Sequence, residues 1–312
     1  MIKITAKGLY FTMTTRDLVG YGSKPIQPKW PDQAQIAINF VVNYEEGAES
    51  NVIHGDAQSE SYLTDLPGIT PLSNQRHLSS ESMFEYGSRC GIWRLLKLFD
   101  DKNIPITFFA TGLALELNPL LCDYLKNSSH EIAGHGYRWI SYQNFTKAEE
   151  KIHFQKTLTI IKEKTNKAVS GWYTGRRSPF TRELIIEHGL KYDSESYSDD
   201  LPYWLKNKGN NTSHLIIPYT LDCNDGRYAM QPGWNSGEDF LNHLKNTFDC
   251  LYQEGKTSPK MMSVGLHPRL SGRPGRSEII KKFIDYILRH KNIWLCTREE
   301  IAHHWYNNHP SN

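Results

Sequence analysis

Apolar positions along this chain fall into short blocks that switch between two periods. Ile36–Val42 is an apolar run, which predicts a strand buried on both faces. Similar short runs at Pro105–Ala110, Glu131–Gly134, Val169–Tyr173, Lys191–Asp193, Leu215–Pro218, Met261–Leu266 and Ile293–Cys296 predict further strands. Between them the spacing is helical. Ile92, Leu95, Leu96 and Phe99 mark one helix, Leu113–Lys126 a second, and Phe154, Leu158 and Ile161 a third. Thr181 precedes Leu184 and Ile185, and Ser236 with Asp239 forms a capping box ahead of Phe240, Leu244, Phe248 and Leu251. Ile280, Phe283, Ile284 and Ile287 follow, and Thr297 with Glu300 caps a last helix. About eight strands alternating with helices over roughly 270 residues predict an α/β fold, a (β/α) barrel. An open doubly wound sheet is the other candidate, but no GxGxxG phosphate loop supports it.

The pattern predicts one domain over residues 1–312. A lead-in at 1–34 carries Pro25, Pro28 and Pro31. Residues 48–86 show neither period, which predicts a long loop; beginning beside Glu45 and Glu46, it reads as a lid or wall over a site.

Composition narrows the class. Lys and Arg number 36 against 34 Asp and Glu, a net charge of +2 without a basic run, which argues against nucleic-acid binding. The five cysteines are scattered and form no CxxC pair, so neither a disulfide framework nor a zinc ribbon is expected. No membrane span and no secretion signal is legible, and a soluble cytoplasmic protein is expected.

Barrel enzymes carry their chemistry where strands exit at the C-terminal face. The exits here read Glu45-Glu46, His135, Arg176-Arg177, Asp199-Asp200, Asp222 to Asp225, and His267. Because strand side chains alternate, Glu45 and Glu46 point to opposite faces. Each group also has a plain reading. His267 suits a loop hydrogen bond, the two arginines suit partners for carboxylates, Asp222 with Asn224 and Asp225 suits a turn, and Trp139 suits a core.

The order of motifs resembles the polysaccharide deacetylase superfamily, carbohydrate esterase family four, and within it the purine-catabolic allantoinase branch. The strings that carry the resemblance are RDLVGYG (16–22), NYEEGAE (43–49), HGD (54–56), EYGSRCGIWR (85–94), HGYRW (135–139), YTGRRS (173–178), DDLPYW (199–204), PYTLDCND (218–225) and HPRLSGRPGR (267–276). The resemblance implies a distorted barrel and hydrolysis of allantoin to allantoate. The superfamily pattern holds a metal with an aspartate after the first strand and two histidines four residues apart. Here Glu45 and Glu46 replace the aspartate pair, His135 matches the first histidine, and Trp139 stands at the second. Indole offers a metal no lone pair. Glu46 and His135 alone remain as a weak candidate pair, and no cofactor is expected.

Under this reading Glu45 or Glu46 is the general base, with His135 helping to poise the water. His267 is the general acid, oriented by Asp222. Tyr44, Trp139, Arg176, Arg177 and Asn224 are expected to bind the small cyclic ureide, and the resemblance implies a homo-oligomer, a tetramer. Two other readings stay open: a metal-dependent deacetylase of N-acetylated polysaccharide, with zinc, and a non-catalytic relative.

Overall fold

A computed structural model describes residues 16–206, 213–230 and 233–311. Nine strands follow in chain order: β1 (Ile36–Tyr44), β2 (Ile106–Ala110), β3 (Glu131–Gly134), β4 (Gly171–Trp172), β5 (Tyr192–Asp193), β6 (Tyr203–Lys206), β7 (Ser213–Ile216), β8 (Lys260–Leu266) and β9 (Ile293–Leu295). They form one curled sheet in the order β6-β7-β5-β4-β3-β2-β1-β8, with β9 also paired to β1. All pairings are parallel except β6 with β7. The polar tract that leads into β6 gave no strand pattern, so this antiparallel strand was not expected. β8 meets β1 from Ile36 to Val42, while β9 and then β2 share the opposite edge, at Ile36–Ile38 and Phe40–Tyr44. Between β7 and β8 the gap is spanned by chain: the Ser263 amide donates to Thr220 Oγ1, and Asn224 bridges Gly265. The architecture is the expected deacetylase-type (β/α) barrel.

Every residue of β1 is buried, which explains its apolar run. Phe40, Val42 and Tyr44 point outward; Phe40 packs on Phe99 and Phe283 of the surrounding helices. The inward side chains lie in layers. At the bottom, Arg298 is fully buried and donates to Asn39 Oδ1 at 2.9 Å, Ser263 Oγ at 2.7 Å and Ser194 Oγ at 3.0 Å. Above it Val41, Phe109, Ala133, Tyr173 and Tyr219 fill the middle. This plug forms the floor of the cavity at the top of the barrel.

Two local features differ from expectation. Leu113–Lys126 is not one helix but two, Gly112–Leu117 and Pro119–Asn127. Pro119 lacks the amide needed to continue a helix, and Asn118 caps the second one by accepting from the Leu121 amide at 3.1 Å. Residues 48–86 are not loop throughout, because Leu78–Tyr86 is helical and runs through a wider turn, Gly87–Gly91, into Ile92–Asp100. That turn passes close behind the strand ends. A Cβ at Gly87 would overlap the Glu46 side chain, and one at Gly91 would overlap the Pro268 carbonyl.

Candidate active site at the top of the barrel

The alternation of β1 continues past its end. Asn43 and Glu45 face the pocket, whereas Tyr44 and Glu46 face the helices. The Glu45 carboxylate is buried. Its Oε1 lies 3.0 Å from His135 Nε2 and 3.6 Å from His267 Nε2, and its Oε2 accepts from Arg269 Nη2 at 2.7 Å. β3 delivers His135, whose Nδ1 faces the Tyr173 carbonyl. β8 delivers His267, whose Nδ1 donates to Asp225 Oδ1 at 2.6 Å. The other Asp225 oxygen accepts the backbone amides of His267 at 2.8 Å and Ser271 at 3.2 Å, so the carboxylate is locked.

These contacts set the charges. Burial pushes the Glu45 carboxyl up, but Arg269, His267 and His135 outweigh it and hold Glu45 well below the usual carboxylate range. Burial lowers His267, but Glu45 and Asp225 outweigh that and raise it to about 9. The two groups are therefore an ionised carboxylate and an imidazolium at neutral pH. Glu46 behaves in the opposite way. Burial raises it, Arg269 offsets part of the effect, and the charge of Glu45 adds to the rise.

The pocket above this cluster measures about 620 Å³. Trp139 forms one wall, with the Arg176 guanidinium 4.1 Å above its ring and Tyr62 stacked at 6.1 Å. Arg176 also lies 3.6 Å from Glu60. Tyr62 and Leu63, from the stretch after β1, close one side, and the Tyr62 hydroxyl reaches Met230 Sδ across the mouth at 3.3 Å. Asn224, Arg227 and Tyr197 complete the rim.

The structure thus gathers Glu45, His135, His267, Trp139, Arg176 and Asn224 around one cavity. It does not bring the rest to it in the same way. Tyr44 points outward, its hydroxyl held by Ser88 and Asn118 at 2.9 Å each, because it neighbours an inward residue. Arg177 is exposed and does not line the cavity. Asp222 stands at the rim but pairs with His243 at 3.0 Å; the carboxylate that orients His267 is Asp225, which the turn aims inward. Arg269 and Asp225 were missed as site residues. Both lie inside quoted motifs, HPRLSGRPGR and PYTLDCND, and that was their only signal.

A metal centre of the superfamily's kind does not fit these donors. Glu46 and His135 are not together, since Glu46 is turned to Gly87 and His135 to Glu45. Trp139 offers no donor atom. Among the described residues, the three donors close enough to share an ion are Asp222 at the rim with Cys223 and His243 outside the cavity lining, not a set around Glu45.

A curled barrel with a buried carboxylate between two imidazoles at its open end defines a barrel hydrolase. The polysaccharide deacetylase family pattern matches residues 76–192. A Schizosaccharomyces pombe protein bearing the polysaccharide deacetylase name is 41% identical over 315 residues, covering 95% of this chain and 98% of its own. The chain belongs to the polysaccharide deacetylase family. Two crystal structures superpose on it with a TM-score of 0.92, each covering 95% of this chain and 99% of its own. One is of a probable polysaccharide deacetylase from Pseudomonas aeruginosa PAO1, 49% identical, and the other is of Puue allantoinase, 48% identical.

Proposed function

We propose that the protein hydrolyses the cyclic amide of a small ureide, allantoin, to give allantoate. The observation that carries this reading is the walled pocket. Tyr62 meets Met230 across its mouth, where a polymer would need an open groove. The 48% identity to Puue allantoinase over nearly the whole chain supports it further. The names of the other relatives favour a second reading, deacetylation of an N-acetylated polysaccharide.

The chemistry follows from the proton positions. Glu45 Oε1 takes a proton from water, and the oxygen adds to the ring carbonyl. Arg176 and the polar rim receive the oxyanion. His267, protonated and held by Asp225, then gives its Nε2 proton to the ring nitrogen as the C–N bond breaks. Glu45 now carries the proton that His267 lacks. With 3.6 Å between Oε1 and Nε2, its return to His267 resets the site. Tyr62 and the Arg176 guanidinium stacked on Trp139 line the space for a five-membered ring, and Asn43 and Asn224 offer amides to its polar edge.

The test is turnover by the purified protein of allantoin beside N-acetylated glucosamine oligomers. Ring opening without acetate release supports the reading; acetate release with allantoin untouched overturns it.

A further inference from the structure

Arg269 is 1% exposed and is not among the residues lining the pocket, yet it is paired directly to Glu45 and to its neighbour Glu46. Its Nη2 meets Glu45 at 2.7 Å, and its Nη1 lies 3.4 Å from Glu46. Its backbone amide donates to the same Glu46 oxygen at 3.3 Å, and Nε donates to the Leu63 carbonyl at 3.0 Å. The guanidinium carbon lies 4.4 Å from the Phe84 ring centroid and 5.0 Å from that of Trp139. Two adjacent buried carboxylates thus have a cation between them, and that cation has aromatic faces around it. Trp139 is the residue standing where the superfamily pattern has its second histidine. A side chain that cannot bind a metal is here a face for a guanidinium.

We propose that Arg269 is a built-in cation that takes over the charge role of a divalent ion at this site, with Trp139 and Phe84 as its clamp. A lone divalent ion is repelled from Glu45 as long as Arg269 is paired to it, because two positive charges a few ångströms apart in a buried site repel strongly. Restoring a histidine at position 139 is therefore not enough to restore a metal site. Arg269 has to leave as well. Arg269 acts through Glu45 and is a positioning residue: it keeps the base ionised and fixes the direction of Oε1. Its carbonyl partner, Leu63, also ties it to the segment that walls the pocket.

The role of Arg269 in activity rests on Glu45 being the base; its exclusion of metal does not. The experiment compares untagged, chelator-stripped wild type, W139H, R269M, W139H/R269K and W139H/R269M. Zinc binding is read by calorimetry and by bound metal after gel filtration. Only W139H/R269M is expected to retain zinc near one per chain, with an affinity gain on the order of 10²-fold over W139H. W139H/R269K keeps the charge and is expected to exclude zinc, which guards against a gain caused by unfolding. If W139H alone binds zinc as tightly as the double variant, or if the folded double variant binds none, the proposal is overturned. If R269M does not fold, R269K carries the second arm, the pH profile. Loss or displacement of the guanidinium is expected to move the acid limb of kcat/KM upward, further for R269M than for R269K; a limb unmoved in both overturns the positioning role. A wild type inactive on allantoin refutes the function reading and leaves the zinc arm intact.

Discussion

Asp225→Asn is the perturbation that tests the site most sharply. The Asp225 carboxylate takes three donors: the His267 imidazole at 2.6 Å, the His267 amide at 2.8 Å and the Ser271 amide at 3.2 Å. An amide has one oxygen. Serving the two backbone amides turns its NH₂ toward His267 Nδ1, which then must accept rather than donate. The imidazole would hold its proton on Nε2 in the neutral form, and the charged form would lose one of its two carboxylate supports, keeping Glu45. His267 stands at about 9 against an ordinary 6.5. That rise is worth on the order of 3 kcal/mol at about 1.4 kcal/mol per tenfold. Glu45 and Asp225 are its two sources. Removing one charge should lower the basic limb of kcat/KM by at least about one pH unit, with kcat falling on the order of 10²–10⁴ at neutral pH. The sign for stability follows the same value. The folded imidazole binds its proton more tightly than the unfolded one, so this contribution is complete below pH 6.5 and is lost as pH rises through about 9. In D225N that fall in stability should be weaker. The assay is kcat/KM for allantoin against pH, beside thermal melts across the same range. A folded D225N whose basic limb coincides with that of wild type would refute the reasoning.

The remaining predictions concern the carboxylates, the wall and the glycine that opens the wider helical turn. Glu45→Gln should cost on the order of 10²–10⁴ in kcat with the fold intact, and Glu46→Gln much less, because Glu46 faces the helices; equal losses in steady-state kinetics would remove the distinction. Exposed residues 71–76 adjoin the stretch that supplies Tyr62 and Leu63, so protease cleavage there should slow when allantoin or a product analogue is bound. Unchanged cleavage at saturation would count against a ligand-responsive wall. Gly87→Ala should destabilise by about 1–3 kcal/mol in denaturant melts and also disturb activity through Glu46, since its methyl meets that side chain. A neutral result would mean that the helix shifts freely at this turn.

Short-range physics made much of this protein legible in one dimension. Strands announced themselves by apolar runs, because a parallel barrel buries both faces of its sheet, and the two expected capping boxes, Ser236 with Asp239 and Thr297 with Glu300, occur where the pattern put them. The period of two was enough to separate Glu45 from Glu46. Applied one residue earlier, it also sends Tyr44 away from the pocket, since neighbours on a strand cannot share a face. What remained undetermined was which distant groups meet. Asp225 and Asp222 are three residues apart in one turn, and only the path of the chain from β7 toward β8 decides that Asp225 turns inward to His267, 42 residues on. Arg269 lies 224 residues from Glu45, and its pairing exists only once β1 and β8 stand side by side. Local sequence sets the period and direction of each side chain; the curled barrel sets its partner, and with it the charge on every group in the site.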